Sequence, residues 1–318
     1  MRNSATPNTC MHTRRNFLQQ AAGALAFSSV PWIASGADAG FSLGMSLYGM
    51  KTVPLIEALK TCAEIGYRNV ELALNAGFPT EPKVFTTEAR KDAVKQLQSL
   101  KLGLSCLMLN MSLAANDKAH EAALESIKEA ALLAHEMNPA NPPMIETVLG
   151  GKPAEWEEIK ERMADRLKSW ADTAAAAKVV IAIKAHVGSA VNSPERLLWL
   201  VQKVNSPAIC VDYDYSHFEV AGIPLAESLK LLLPHTKFIH VKDTMGDSKK
   251  FQFLLPGEGH TDYVAYFNIL KEHNYTGPVV VEVSAQIFNK PGYDPVVAAK
   301  KSYTALAAAM AKAGVANI

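Results

Sequence analysis

Residues 208–217, AICVDYDYSH, carry the pattern that decides the fold. Their mostly apolar start predicts a buried strand over 208–213, and charged residues appear where that strand ends. Side chains alternate along a strand, so Asp212 and Asp214 share one face, and His217 follows shortly after them. Acidic residues at the end of an apolar strand are typical of parallel barrels, which carry their chemistry at the carboxyl ends of the strands.

Apolar runs of this kind alternate with longer segments of helical periodicity, in eight pairs. Eight strand–helix units in ~250 residues predict a (β/α)8 TIM barrel, an α/β fold, with 40–318 as a single domain. An open doubly wound sheet would carry a glycine-rich phosphate turn after its first strand, but segment 44–49 belongs to the strand itself. The predicted strands are 41–47, 69–74, 104–109, 144–148, 179–185, 208–213, 236–241 and 278–283, and the predicted helices include 53–65, 87–100, 117–136, 154–177 and 193–204.

The amino terminus has the layout of a bacterial twin-arginine export signal. Arg14 and Arg15 precede a Phe-Leu step and a mildly apolar, alanine-rich stretch over 21–30. That stretch is too short and too polar for a stable membrane span. We therefore expect 1–39 to be a signal peptide read by the twin-arginine export machinery, and 40–318 to be a periplasmic or other extracytoplasmic domain.

Composition and charge exclude several classes of protein. The 318 residues are 49% apolar and 20% charged, which is typical of a globular chain rather than a disordered one. The net charge is +1 with no long basic run, and losing 1–39 makes it about −1, so no nucleic-acid partner is expected. The four cysteines form no CxxC pair and are predicted to be mostly buried free thiols. The sequence leaves open whether the chain forms a homo-oligomer.

Polar residues also end four other predicted strands. Because the carboxyl ends of barrel strands meet at one face, we expect these residues to share a site. Burying so much charge has no structural benefit unless the groups are paired or bind a metal. Asp, His and Glu from strands six, seven and eight favour an oxygen-rich site for a divalent cation over a thiolate zinc site. The residues are Glu146 on strand four, Lys184 and His186 on strand five, His240, Lys242 and Asp243 on strand seven, and Glu282 and Ser284 on strand eight.

Five segments, taken in order and spacing, resemble a known family. They are GYRNVEL (66–72), DYSH (214–217), HVKD (240–243), PGEGHTD (256–262) and the run 277–282. Together they are similar to the xylose isomerase-like TIM barrels, the sugar phosphate isomerase/epimerase group, over essentially all of the chain after the signal. The resemblance implies an exported enzyme of that group.

The resemblance also implies one divalent metal ion: Mn, Mg, Co, Fe or Zn. Family members hold it with an acid from strand five, an Asp from strand six, a His from strand seven and a Glu from strand eight. The last three positions fall on Asp214, His240 and Glu282.

Strand five departs from the family pattern. It reads Lys184-Ala185-His186, which places an ammonium where the family's Glu-x-His pattern has a carboxylate. Three alternatives follow. Glu146 or His186 supplies the missing ligand, Lys184 acts as a base with its pKa lowered by the metal, or the site has lost its metal and only binds sugar.

The chemistry implied by the resemblance is proton abstraction beside a sugar carbonyl, through an enediolate. Reprotonation gives isomerisation or epimerisation, whereas loss of a neighbouring oxygen gives β-elimination, as in a dehydratase or keto-sugar lyase. A non-catalytic sugar-binding protein is the second alternative. Export favours a free sugar or glycoside as the small-molecule substrate. The expected roles are catalytic for Lys184, Glu282 and His186, substrate-binding for His217, Lys242, Glu258 and His260, and metal-binding for Glu146, Asp214, His240 and Glu282.

Overall fold

Eight parallel strands close into a barrel in the computed structural model, which describes Met1 and residues 40–318. The predicted signal peptide therefore lies, from residue 2 onward, outside the described residues. The barrel strands are β1 (Gly40–Ser46), β2 (Asn69–Ala73), β3 (Gly103–Met108), β4 (Met144–Val148), β5 (Ile181–Lys184), β6 (Ile209–Asp214) and β7 (Thr236–Val241), then, after a hairpin of β8 (Asp243–Asp247) and β9 (Lys250–Leu254), β10 (Pro278–Val281). Neighbouring strands pair in sequence order and β10 pairs with β1, which closes the barrel. A short β11 (Ala316–Asn317) pairs with the start of β1.

Helices follow the barrel strands, as the predicted alternation requires. They are α1 (Leu55–Ile65), α2 (Thr87–Leu100), α3 (Asp117–Met137), α4 (Trp156–Ala176), α5 (Pro194–Val204), the short α6 (Ser216–Glu219), α7 (Leu225–Leu232), α8 (Tyr263–Glu272), the short α9 (Ala285–Phe288) and α10 (Pro295–Ala313). The predicted (β/α)8 single-domain fold is confirmed, and the predicted element bounds lie within two residues of these. Within 40–318, none of the helices combines the length and the apolar character that a membrane crossing needs.

Polar side chains at the helix starts explain where two of these helices begin. The Ser193 hydroxyl accepts a hydrogen bond from the backbone N–H of Arg196 at 3.4 Å, directly before α5. The Asp262 carboxylate accepts from two backbone N–H groups of α8, both at 3.0 Å. Such caps satisfy N–H groups that have no partner within the helix.

Within the barrel, an apolar layer lies below the charged strand ends. It is a separate cluster of buried residues: Cys106, Ala182, Cys210, Phe238 and Val280. Every second residue of a strand faces the same side, so the next interior residue toward the carboxyl end is charged on three strands. Lys184 follows Ala182, Asp212 follows Cys210 and His240 follows Phe238. The barrel interior is therefore apolar at this level and charged toward the carboxyl ends of the strands. The three cysteines within 40–318 are buried free thiols, as predicted.

Candidate active site

A cavity of about 410 Å³ opens at the carboxyl ends of the strands, where the sequence predicts the site. Seven of the predicted site residues line it: Glu146, Lys184, His186, His217, Lys242, Glu282 and Ser284. Asp214 and His240 lie directly beneath, fully buried and in contact with these lining residues. The strand ends thus bring together most of the residues that the sequence singled out.

Lys184 lies at the centre of the charged layer. Its Nζ is 2.9 Å from Nδ1 of His240, 3.2 Å from Oε1 of Glu146, 3.3 Å from Oε2 of Glu282 and 3.6 Å from Oδ2 of Asp212. Burial alone would lower the pKa of Lys184, but the carboxylates of Glu146, Glu282 and Asp212 outweigh it and raise that pKa well above its usual value. Lys184 is therefore a buried ammonium surrounded by acids.

Lys242 bridges two further carboxylates. Its Nζ donates a hydrogen bond to Oδ2 of Asp214 and another, at 2.5 Å, to Oε2 of Glu282. Burial would raise the pKa of Glu282, but the ammonium groups of Lys184 and Lys242 outweigh it and hold the pKa below its usual range. The Glu282 side chain is 12% exposed, whereas those of Glu146 and Asp214 are almost fully buried. Glu282 is thus an ionised carboxylate with access to the cavity.

His240 has a carboxylate at each ring nitrogen. Its Nδ1 is 2.8 Å from Oδ2 of Asp212, and its Nε2 is 3.1 Å from Oε2 of Glu71. Burial would lower the pKa of His240, but Asp212 and Glu71 outweigh it and raise that pKa well above its usual value. Glu71, on β2, has no predicted role in the site. An acid inside the apolar run 69–74 was the available signal for it.

His186 and His217 form a neutral pair at the cavity wall, with ring centroids 4.2 Å apart. The backbone N–H of Gly188 donates to Nδ1 of His186 at 3.1 Å, so the proton of the neutral ring lies on Nε2. Burial, with the positive charge of Lys242 as a further cause, lowers the pKa of His186 to about 3. Burial also lowers the pKa of His217, although its Nε2 lies 3.4 Å from Oδ2 of Asp214.

Comparison with known proteins decides the family. The sequence model of the xylose isomerase-like TIM barrels matches residues 59–309. This chain belongs to the xylose isomerase-like TIM barrel family.

One curated relative of this xylose isomerase-like barrel is L-ribulose-5-phosphate 3-epimerase UlaE of Escherichia coli O157:H7. The two are 28% identical over 158 residues, which is 49% of this chain and 53% of that protein. The chain therefore spans about half the length of the curated relatives it matches.

Solved structures share the fold over nearly their whole length. The probable 3-DHS dehydratase AsbF of Bacillus anthracis is 15% identical with a TM-score of 0.70, covering 84% of this chain and 99% of that one. The IOLI protein with a bound zinc atom is 21% identical with a TM-score of 0.69, covering 86% and 98%. The 3-keto-D-glucoside 4-epimerase YcjR of E. coli is 15% identical with a TM-score of 0.67, covering 84% and 99%. At these identities the likeness shows a common barrel alone.

Two groups of side chains in this xylose isomerase-like barrel have the donor chemistry of a divalent metal site. Glu146, Asp212 and His240 form one, and Asp214, His240 and Glu282 form the other, with ligand atoms in each group within 4.8 Å of one another. Three of the four predicted metal ligands, Asp214, His240 and Glu282, thus share one group, and Glu146 lies with His240 in the other. His186, the other candidate for the missing ligand, is in neither group among the described residues.

Each group also contains an ammonium. Lys184 contacts all three members of the first group, and Lys242 bridges Asp214 to Glu282 in the second. At an effective dielectric constant of 20, a dication about 4 Å from one ammonium is repelled by about 8 kcal/mol, as much as one carboxylate at that distance attracts it. Each ammonium therefore offsets one of the two acids in its group and already contacts the ligand atoms. The residues present, with both lysines in these positions, do not fit a divalent ion.

Glu258 and His260, predicted to bind substrate from the loop after strand seven, are not brought to the cavity. The Glu258 carboxylate accepts from the backbone N–H of Leu255 at 3.3 Å and lies 3.5 Å from Nζ of Lys301, and the His260 side chain is exposed.

The backbone of that loop, rather than its side chains, is anchored at the barrel. Oδ2 of Asp243 accepts from the backbone N–H groups of Gly257 and Gly259, both at 2.8 Å. The hairpin of β8 and β9, which is not predicted from the sequence, places Phe253 in the cavity wall instead.

Aromatic side chains form an apolar part of the wall. Tyr48 lines the cavity, stacks on Phe78 with centroids 5.2 Å apart and packs at nearly a right angle to Phe288 with centroids 5.0 Å apart. Nζ of Lys242 lies 5.1 Å from the ring centroid of Phe253. The sequence predicts no role for Tyr48 or Phe253, because their place at the cavity depends on how the barrel closes.

Proposed function

We propose that this protein is a sugar isomerase or epimerase that removes a proton next to a carbonyl and works through an enediolate. The observation that supports this most is the position of Glu282, an ionised carboxylate open to the cavity and flanked by the ammonium groups of Lys184 and Lys242. A carboxylate base beside fixed positive charge suits enolisation, because the charge stabilises the oxyanion that forms as the proton leaves. The epimerases among the similar proteins agree with this class of reaction.

Each group then has a defined part in the reaction. A Glu282 oxygen takes the proton from the carbon next to the carbonyl, and the C–H electron pair becomes the carbon–carbon double bond. The carbonyl oxygen gains negative charge, which Lys184 and Lys242 stabilise, while Nε2–H of His186 donates to a substrate oxygen. Protonation of the same carbon on the opposite face, by a donor other than Glu282, gives an epimer. Protonation of the former carbonyl carbon, with the proton of the neighbouring hydroxyl moving to the former carbonyl oxygen, gives an isomer.

We also propose an unphosphorylated sugar or glycoside as substrate. Among the described residues, the cavity lining contains no arginine, and both of its lysines are engaged by carboxylates. Phosphate groups are commonly bound by arginine forks, and a cavity without one is poorly suited to them. Asn110 and Ser189 can pair with sugar hydroxyls, and Tyr48 offers a ring face for the apolar side of a sugar.

Hydrogen exchange tests the proposal directly. The purified protein is incubated in D2O with free ketoses and aldoses, 3-keto-glucosides and phosphorylated ketoses, and deuterium next to the carbonyl is followed by NMR. We expect exchange and a new epimer or isomer with an unphosphorylated substrate, loss of both in Glu282→Gln, and retention in the matched control Glu161→Gln. Glu161 is 63% exposed and lies outside the cavity.

The products distinguish the alternatives. Release of water or an aglycone would favour the β-eliminating lyase or dehydratase. Sugar binding without exchange across the panel would contradict the proposal and favour a sugar-binding protein.

We further propose that 1–39 directs twin-arginine export to the periplasm. A cut after Ala39 would leave all of β1 in place, because that strand begins at Gly40.

A further inference from the structure

We infer that the ammonium of Lys184, supported by that of Lys242, takes the place of a divalent metal ion in this site, so that the protein functions without one. The part of this inference that concerns catalysis rests on the proposed function. The part that concerns the metal rests on geometry alone.

The position of Lys184 is that of a bound cation. Its Nζ lies 2.9–3.6 Å from one ring nitrogen and three carboxylate oxygens on four different strands or strand ends. The three carboxylate oxygens are donors of the type that holds divalent cations. The lysine is delivered by β5 of the same chain, so this positive charge cannot dissociate.

The spaces between the candidate ligands are occupied as well. Lys242 bridges Asp214 to Glu282, and Lys184 lies between His240 and Glu282. His240 has no free ring nitrogen, because Nε2 faces Glu71 and Nδ1 faces Asp212 as well as Lys184. A divalent ion would have to displace these contacts and then remain beside two ammonium groups.

Lys184 offsets the negative charge of the buried acids, as a metal ion does in a cluster of this kind. Buried carboxylates repel one another and are costly unless an opposite charge lies among them. Lys184 contacts Glu146, Asp212 and Glu282 at once, so one ammonium reduces the repulsion among three acids. The same charge borders the cavity, where it can stabilise an oxyanion of the substrate.

The first test needs no variant. The wild-type protein is incubated with Mn, Mg, Co, Fe(II) or Zn, desalted, and analysed for metal per chain, and its thermal midpoint is measured with and without EDTA. We expect metal at the level of the buffer blank and no shift in midpoint. About one ion per chain would overturn the inference.

The second test adds a ligand. Lys184→Glu replaces the central ammonium by a carboxylate, and we expect it to bind one divalent ion per chain and to gain thermal stability when that ion is added. Lys203→Glu makes the same charge change on α5, at an exposed side chain, and is expected to bind none. If Lys184→Glu folds but binds no more metal than wild type, Lys184 does not stand in a metal's place and the inference fails.

Failure to fold would leave the wild-type measurements to decide. Metal content is measured without substrate, so it is independent of whether a turned-over sugar is found. Metal in the wild-type protein overturns this inference and leaves the proton-transfer proposal standing. A metal-free protein without turnover contradicts the proton-transfer proposal and leaves this inference standing.

Discussion

Replacing Lys184 by methionine would remove the central ammonium while keeping most of the side-chain volume. Glu282 would keep Lys242 at 2.5 Å, and Asp212 would keep Nδ1 of His240 at 2.8 Å. Glu146 forms its ion pair, among the residues that the structure describes, with Lys184 alone. The loss therefore falls mainly on Glu146, a fully buried acid whose pKa burial raises to about 8 even beside Lys184.

The expected change in the free energy of unfolding depends on how many of the three acids lose their only cation. Removing one partner of a buried ion pair costs about 3–5 kcal/mol, and since two of the three acids keep another cation, we expect about 3 kcal/mol in the free energy of unfolding. For a protein of this size, that corresponds to a decrease of roughly 6–12 °C in the thermal midpoint. Adding Glu146→Gln to Lys184→Met should restore about 2 kcal/mol at neutral pH, because this buried acid must take up a proton on folding whereas the amide is already neutral.

Urea unfolding followed by circular dichroism measures these differences. The matched control is Lys203→Met, which removes an exposed ion pair to Glu161 (3.1 Å) and should change the free energy of unfolding by no more than about 0.5 kcal/mol. A loss for Lys184→Met no larger than that of the control, or no recovery in the double variant, would refute the reasoning that Lys184 holds the buried acids together.

Three further predictions concern other parts of the chain. Changing Arg14 and Arg15 to lysine should retain a precursor in the cytoplasm, and fractionation with immunoblotting measures this; unchanged periplasmic protein would contradict the twin-arginine prediction. Arg166→Met should lower the free energy of unfolding by about 3 kcal/mol in urea, because this buried guanidinium donates to two backbone carbonyls and an aspartate; a change below about 1 kcal/mol would contradict it. Burial raises the pKa of the Cys62 and Cys210 thiols to about 12, so neither should react with a thiol reagent at pH 8 until the protein is unfolded, and reaction in the folded protein would show that the interior opens.

The barrel could be predicted from the sequence because its signals are local. A strand buried on both faces reads as an apolar run, and the alternation of eight such runs with amphipathic segments is typical of one architecture. The convergence of Asp214, His240 and Glu282 could be predicted for the same reason, since residues at the carboxyl ends of barrel strands meet at one face.

Contacts between distant strands could not be predicted in this way. Glu71 on β2 reaches His240 on β7 across the barrel, and which side chains meet there depends on how the closed barrel sets strands opposite one another. Glu258 and His260 lie in PGEGHTD (256–262), one of the motifs that resemble the family. Its backbone hydrogen bonds to Asp243 nevertheless turn it so that neither side chain lines the cavity.

The sequence by itself determined the (β/α)8 barrel, the face on which the charged residues meet and the presence of a lysine on strand five. Only the tertiary structure decided what that lysine does there. A residue's position along the chain specifies the strand end at which it lies, but not its distance from groups on other strands. Closure of the barrel places Nζ of Lys184 within 3.6 Å of Glu146, Asp212, His240 and Glu282, and at such distances electrostatic energies change steeply with separation.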